Sequence, residues 1–189
     1  YKRQIAYVDE GGVFRVGPQP AGADPGPACY ARGGTDPTST DAQLLLGRLT
    51  EAGLLGGRLR LNSESASRAF EEMTARMELD LIRLAAGTVR IANQRMIEAL
   101  KLVTVDRGSD PRDFVLFAFG GAGPLHACEI ARELGIGRVL IPASPGVLSA
   151  LGLGVADIKT NHIASLNAGF GTLSADLVVE QQEALERAA

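Results

Sequence analysis

The 189-residue sequence predicts a helix-rich α/β fold. Two patterns carry that reading. Phe70, Met73, Met77, Leu81, Leu84, Thr88, Ala92, Met96, Ala99 and Val103 recur at steps of three or four, the period of an amphipathic helix. The apolar runs over 114–119 and 139–141 flank one helix-length segment, as a buried parallel strand-helix-strand unit requires. A composition that is 46% apolar and 22% charged suits a globular chain and argues against disorder as the dominant state.

The elements follow in order. Residues 5–16 alternate around Asp9-Glu10-Gly11-Gly12, which predicts two short strands and a glycine turn. Five prolines and five glycines then crowd residues 17–41, a density that excludes a helix or a central strand and predicts a long loop. Thr40 with Gln43 reads as a capping box, opening a helix of about three turns that runs to Leu49 and stops near Gly53. The long periodic stretch predicts one helix over 64–78 and a second reaching about 105, buried on more than one side around 81–86. A strand over 114–119 leads through Gly120-Gly121-Ala122-Gly123-Pro124 into a helix over 125–134 and a strand over 139–141. A loop over 142–146, a short helix to Leu153, an extended stretch over 155–166 and a helix from Ser174 complete the chain. We expect a single domain over 1–189, with a Gly/Pro-rich loop at 17–41, a helical segment at 62–107 and a strand-helix-strand unit at 113–166.

Charge and cysteine usage narrow the function. With 22 acidic against 19 basic residues and no basic block, a nucleic-acid groove is not expected. Cys29 and Cys128 form no Cys-x-x-Cys pair, which excludes a zinc ribbon and a disulfide scaffold and points to a reducing, cytoplasmic setting. No apolar run is long enough to predict a membrane span.

The turn at 120–123 is the sharpest local feature. Glycines after a buried strand let a flat or anionic ligand approach the backbone; a tight turn without a ligand is the alternative. It is neither a Rossmann fingerprint nor a P-loop. Asp24, Asp36 and Asp41 lie in or beside the Gly/Pro loop, where two or three carboxylates suit Mg²⁺ or catalysis. Against that, Asp24 and Asp36 precede prolines as turn residues do, and Asp41 sits where a helix start favours an acid. His126 follows the glycine turn and either faces a ligand or is a buried structural histidine; Cys128, two residues on, lies off its face. Cys29, Tyr30 and His162 suggest packing only.

The motifs together resemble the hydantoinase A/oxoprolinase family. The resemblance rests on residues 16–42, from Val16-Gly17-Pro18 through Ala-Gly-Ala-Asp-Pro-Gly-Pro-Ala-Cys-Tyr at 21–30 to Thr40-Asp41-Ala42. Leu46-Gly47-Arg48-Leu49 extends it, as do residues 107–114, Phe119 to Ala127, 142–146 and Ser149-Ala150-Leu151-Gly152. It implies a piece of a longer chain: most of the second lobe of an actin/hexokinase-like ATPase, without the Asp-x-Gly-Gly-Thr loops that bind phosphate and Mg²⁺. By position, Gly120, Gly121, Ala122 and Gly123 resemble the adenosine-contacting turn. The implied activity is ATP-driven hydrolysis of a cyclic amide such as hydantoin or 5-oxoproline, with Asp24, Asp41 and His126 as candidate catalytic residues and Asp24 and Asp41 as candidate metal ligands. Related members are ketone carboxylase subunits, and a B-type subunit or domain is the implied partner. Docking of that partner is the alternative role for this lobe. Without its phosphate loops the chain is expected to be inactive alone, and Phe14–Asp41 to depend on other lobes for its order.

Overall fold

A computed structural model describes residues 3–157, 159–165, 169, 171 and 173–188. These fall into two compact units, Tyr1–Leu148 and Ser149–Ala189. The first unit opens with the expected hairpin, β1 (Gln4–Val8) antiparallel to β2 (Phe14–Pro20), with Val8 opposite Phe14 and Ala6 opposite Val16. The turn is closed by Asp9, whose carboxylate accepts from Val13 N–H and from Arg15 Nε, both at 2.9 Å. β2 runs three residues beyond Gly17 into the segment assigned to the loop. An edge strand tolerates proline because its outer N–H groups need no partner. Gly17 sits at φ +67°, where a Cβ would meet the Gln4 side chain at 2.6 Å.

Helix α1 (Ser39–Leu45) is shorter than predicted and is capped two residues earlier. Thr38, not Thr40, is the N-cap, and Asp41, not Gln43, is the residue that reaches back. Thr38 Oγ1 accepts from the N–H of Thr40 and Asp41, while its hydroxyl and its N–H both donate to Asp41 Oδ2, at 2.6 and 2.8 Å. The other oxygen, Oδ1, accepts from Cys29 N–H at 2.7 Å. Pro27, Ala28, Cys29, Thr38, Ser39 and Asp41 are consequently buried within this unit. The loop therefore does not wait for other lobes to hold these parts. Ala6 N–H to Pro37 O and Asn62 N–H to Cys29 O, both 2.8 Å, complete the attachment. Its exposed residues are 18–20, 23–25, 31–33 and 35–36.

The periodic stretch is two helices, α2 (Ser63–Met77) and α3 (Leu81–Val103). Glu78, in the left-handed region at φ +52°, ends the first, and Asp80 caps the second by accepting from Arg83 N–H. Phe70 and Met73 of α2 and Leu84, Ala85, Val89 and Ala92 of α3 close one core with Ala6, Val16 and Ala42. Complete burial of Phe70 and Leu84 contributes roughly 1.5–3 kcal/mol each. α3 is buried along one stripe and not on more than one side around 81–86, where Ile82 and Ala86 are exposed, and Leu102 and Val103 at its end are exposed as well.

Strands β3 (Leu116–Phe117) and β4 (Val139–Leu140) pair in parallel across helix α4 (Gly123–Leu134), the predicted unit. The strands are shorter than their apolar runs, and the expected two-sided burial is absent. Phe114, Val115, Phe117, Phe119, Leu140 and Ile141 are exposed, because a parallel pair needs a layer on each face and the described elements of this unit do not provide both. Helix α5 (Leu148–Val155) begins at the unit boundary. In the second unit, residues 156–157 and 159–165 form neither helix nor strand, and α6 (Ala175–Ala188) follows Ser174 as predicted. Val155 closes α5 rather than starting an extended stretch, and Leu166 lies outside the described residues.

The Asp41 carboxylate holds three buried donors at once, so Asp41→Asn should turn an amide N–H₂ against at least one of them. We expect a loss of about 3 kcal/mol in urea denaturation with an unchanged slope.

Candidate functional site

The glycine turn, α1 and the segment around Tyr30 face one another across a cavity of about 280 Å³. Its lining includes Tyr30, Ser39, Gln43, Gly121, Ala122 and His126, with leucines on the flanks. Each part is placed by a feature already described. The Asp41 clamp fixes Tyr30 and the first turn of α1. Gly120 takes φ +80°, which favours glycine, and its N–H donates to Pro145 O at 2.7 Å, joining the turn to the loop over 142–146. Gly121 has no such conformational need. A Cβ built there meets nothing within 4 Å, so the fold itself does not demand a glycine at this point of the cavity wall.

His126 is buried in the first turns of α4, and its Nδ1 lies 2.6 Å from Asn93 Oδ1. The Asn93 amide nitrogen donates onward to Glu129 Oε2, and Glu129 Oε1 pairs with Arg48 beyond α1. An amide whose N–H₂ is committed offers only its oxygen to the ring, so Nδ1 carries the proton and Nε2 is left as an acceptor. Burial lowers the pKa of His126 below 6.5, against the opposing pull of the Glu129 charge, which keeps the ring neutral near pH 7. A neutral imidazole held by a carboxylate-anchored amide can accept a hydrogen bond or a proton from a ligand.

Gln43 contributes differently. It is 2% exposed, and neither its Oε1 nor its Nε2 has a hydrogen-bond partner. Tyr30, read from sequence as packing, lines the same cavity, and burial raises its phenol pKa. Cys29 is buried, and that burial together with the neighbouring Asp41 pushes its thiol up, whereas Cys128 lies exposed on α4.

The acidic candidates are not alike. Asp24 and Asp36 are exposed on the loop, while both oxygens of Asp41 accept internal hydrogen bonds. Among the described residues no cluster of three or more His, Cys, Asp or Glu is arranged to hold a metal ion. The sequence reading found the glycine turn and His126 but missed Gln43, Asn93, Glu129 and Arg48. Asn93 was visible as the one amide within the apolar stripe of α3, and Glu129 as the acid three residues beyond His126 on the same helix face.

A family model described as Hydantoinase/oxoprolinase matches residues 3–162. The chain belongs to the hydantoinase/oxoprolinase family. An uncharacterised protein of Methanocaldococcus jannaschii is 51% identical over 162 residues, covering 86% of this chain and 24% of that protein. The caprolactamase subunit alpha of Pseudomonas jessenii is 41% identical (86% of this chain, 23% of that one). The acetophenone carboxylase gamma subunit of Aromatoleum aromaticum is 42% identical (82% and 21%). The crystal structure of the ATP-dependent caprolactamase from P. jessenii superposes with a TM-score of 0.76 at 36% identity, over 98% of this chain and 27% of that one. The chain thus spans about a quarter of the length of these relatives. Among the described residues no helix is long and apolar enough to cross a membrane.

The pKa of His126 is lower folded than unfolded, so the unfolded chain binds its proton more readily, and stability falls as pH drops through 6.5. Thermal melts between about pH 8 and about pH 5 should lose midpoint on acidification in the parent protein and lose less in His126→Gln.

Proposed function

We propose that the chain is part of an ATP-dependent cyclic-amide hydrolase, in which Gly120, Gly121, Ala122 and Gly123 form the adenosine-side turn of an actin/hexokinase-like lobe. Gly121 is the observation that carries this reading. It lines the cavity, the backbone does not need it, and a side chain there would occupy space that the fold leaves open. A flat ligand lying on the turn explains the glycine. ATP with Mg²⁺ supplies the phosphoryl group that makes an amide carbonyl susceptible to water, and the substrate class is a cyclic amide such as hydantoin, 5-oxoproline or another lactam. The caprolactamase and 5-oxoprolinase relatives support this class, and the acetophenone carboxylase gamma subunit keeps a ketone as the alternative.

Within the chain, Tyr30 and the flanking leucines exclude water from the ligand's faces, and the turn sets how closely it approaches. The neutral His126, oriented by Asn93, holds an acceptor toward the cavity. The exposed Asp24 is the acidic candidate whose carboxylate is open to a substrate or metal, since Asp41 is committed to the fold. The whole enzyme works in the cytoplasm with a B-type subunit or domain, in keeping with two unpaired cysteines and with relatives that are named as subunits. The exposed apolar residues around β3 and β4 favour a second role for the same lobe, that of docking this partner.

Gly121→Val decides between the two readings. In the whole enzyme it should leave the melting temperature within about 2 °C and raise KM for ATP by about tenfold or more. The 189-residue chain alone should turn over no ATP, because phosphoryl transfer rests on positioning phosphates and metal. An unchanged KM combined with lost subunit assembly would favour docking.

A further inference from the structure

His126 is held from one edge only. Its Nδ1 lies 2.6 Å from Asn93 Oδ1, and Asn93 is not among the residues that line the cavity. Glu129 decides which way that amide faces. A carboxylate only accepts, so the Asn93 atom 2.5 Å from Glu129 Oε2 is the N–H₂, and the oxygen is what turns to the ring. Arg48 holds Glu129 through the other oxygen, Oε1. The ring proton is thereby drawn to Nδ1, against the preference of a free imidazole in water for Nε2.

The second nitrogen is left bare and accessible. Among the described residues no donor reaches Nε2, and the buried side-chain atoms that lack both a partner and contact with solvent belong to Gln4 and Gln43, not to His126. Nε2 therefore opens onto the cavity that the ring lines, beside the Gly121-Ala122 turn and Leu125. The volume of about 280 Å³ is at the lower end for a small-molecule site and suits one ring system better than a whole nucleotide. We propose that Arg48, Glu129 and Asn93 are positioning residues that keep Nε2 an acceptor, so that the cavity selects a flat ring with an N–H on the edge facing the imidazole. Two ligands of the proposed reaction share that chemistry: adenine at its amino group and a lactam at its ring N–H. A ring of the same shape with oxygen in place of N–H sets one lone pair against another and is rejected. The choice of ligand rests on the reading of the Gly121 turn as ligand-facing; the tautomer of the ring does not.

The chain has two histidines, and His162 is exposed. A ¹⁵N spectrum of the imidazoles near neutral pH therefore shows His126 beside one reference ring, and His126→Gln assigns it by its loss. We expect the His126 proton on Nδ1. It should move to Nε2 in Asn93→Leu, which keeps the size of the side chain, and in Glu129→Leu, which frees the amide to turn. Ligands are compared in pairs: 2-piperidone against δ-valerolactone, and adenosine against purine riboside, which lacks the amino group. We expect the donor ring of one pair to shift the Nε2 signal saturably and to bind about tenfold more tightly than its counterpart. In Asn93→Leu that ratio should fall to about one or below. A network that only ties helices together would lose stability in both variants and leave the tautomer where it was. A proton on Nε2 in the parent protein, or on Nδ1 in both variants, overturns the positioning role and leaves the Gly121 reading standing. Equal binding within both pairs, or no saturable shift from either donor ring, overturns the selection even where the tautomer is as expected. Discrimination within the lactam pair alone keeps the selection and overturns the adenosine reading of the turn. Where a variant does not fold, the tautomer and the binding ratios of the parent protein decide.

Discussion

One buried carboxylate organises the part of the molecule where chemistry is expected. Asp41 accepts from Cys29 N–H, Thr38 N–H and the Thr38 hydroxyl, so a single side chain closes the first turn of α1 and pins a glycine- and proline-rich loop to it. Hydrogen bonds to an ionised acceptor contribute about 1.5–3 kcal/mol each, enough to hold a segment that has no regular backbone pairing of its own. Tyr30 follows directly from the pinned Cys29, and Ser39 and Gln43 follow from the pinned helix start. The side chains of the cavity wall are thus set by an interaction that does not itself face the cavity.

The opposite wall is held by a second polar device of different character. Arg48, Glu129, Asn93 and His126 form a line from the protein surface to the cavity, drawn from α3, α4 and the turn after α1. Each link fixes the orientation of the next, and the last fixes the tautomer of an imidazole. On the α1 wall, Gln43 is buried with its amide unpaired, so the polar groups around the cavity are not uniformly satisfied.

Much of the fold was legible because the responsible patterns are local. The steps of three and four from Phe70 onward, the alternation before Asp9 and the glycine turn before α4 each report an element whose own residues decide it. The errors have physical causes. The cap of α1 moved to Thr38 because Asp41 found a second buried partner in Cys29 N–H, twelve residues away, which no window on the helix reveals. The loop proved to be packed for the same reason. The strands over 114–119 and 139–141 read as buried because an apolar run reports hydrophobicity and not whether a covering layer is present. At the site, the glycines and His126 were visible as unusual residues at a strand-to-helix junction. Gln43 was not, and Asn93, although it stands out as an amide in the stripe of α3, was passed over, since such an amide acquires meaning only when its partners, or their absence, can be seen.

The line from Arg48 to His126 has one end in solvent and the other in the interior. The side chains of Arg48 and Glu129 remain 34% and 36% exposed, whereas His126 is 5% exposed. At the outer end the charges stand in contact, closer than the screening distance of about 8 Å at physiological ionic strength, so dissolved ions weaken them little and do not reach the buried inner end. The direction of an acceptor deep in the protein is thereby held from the surface, and the cavity answers to a residue, Arg48, that does not line it.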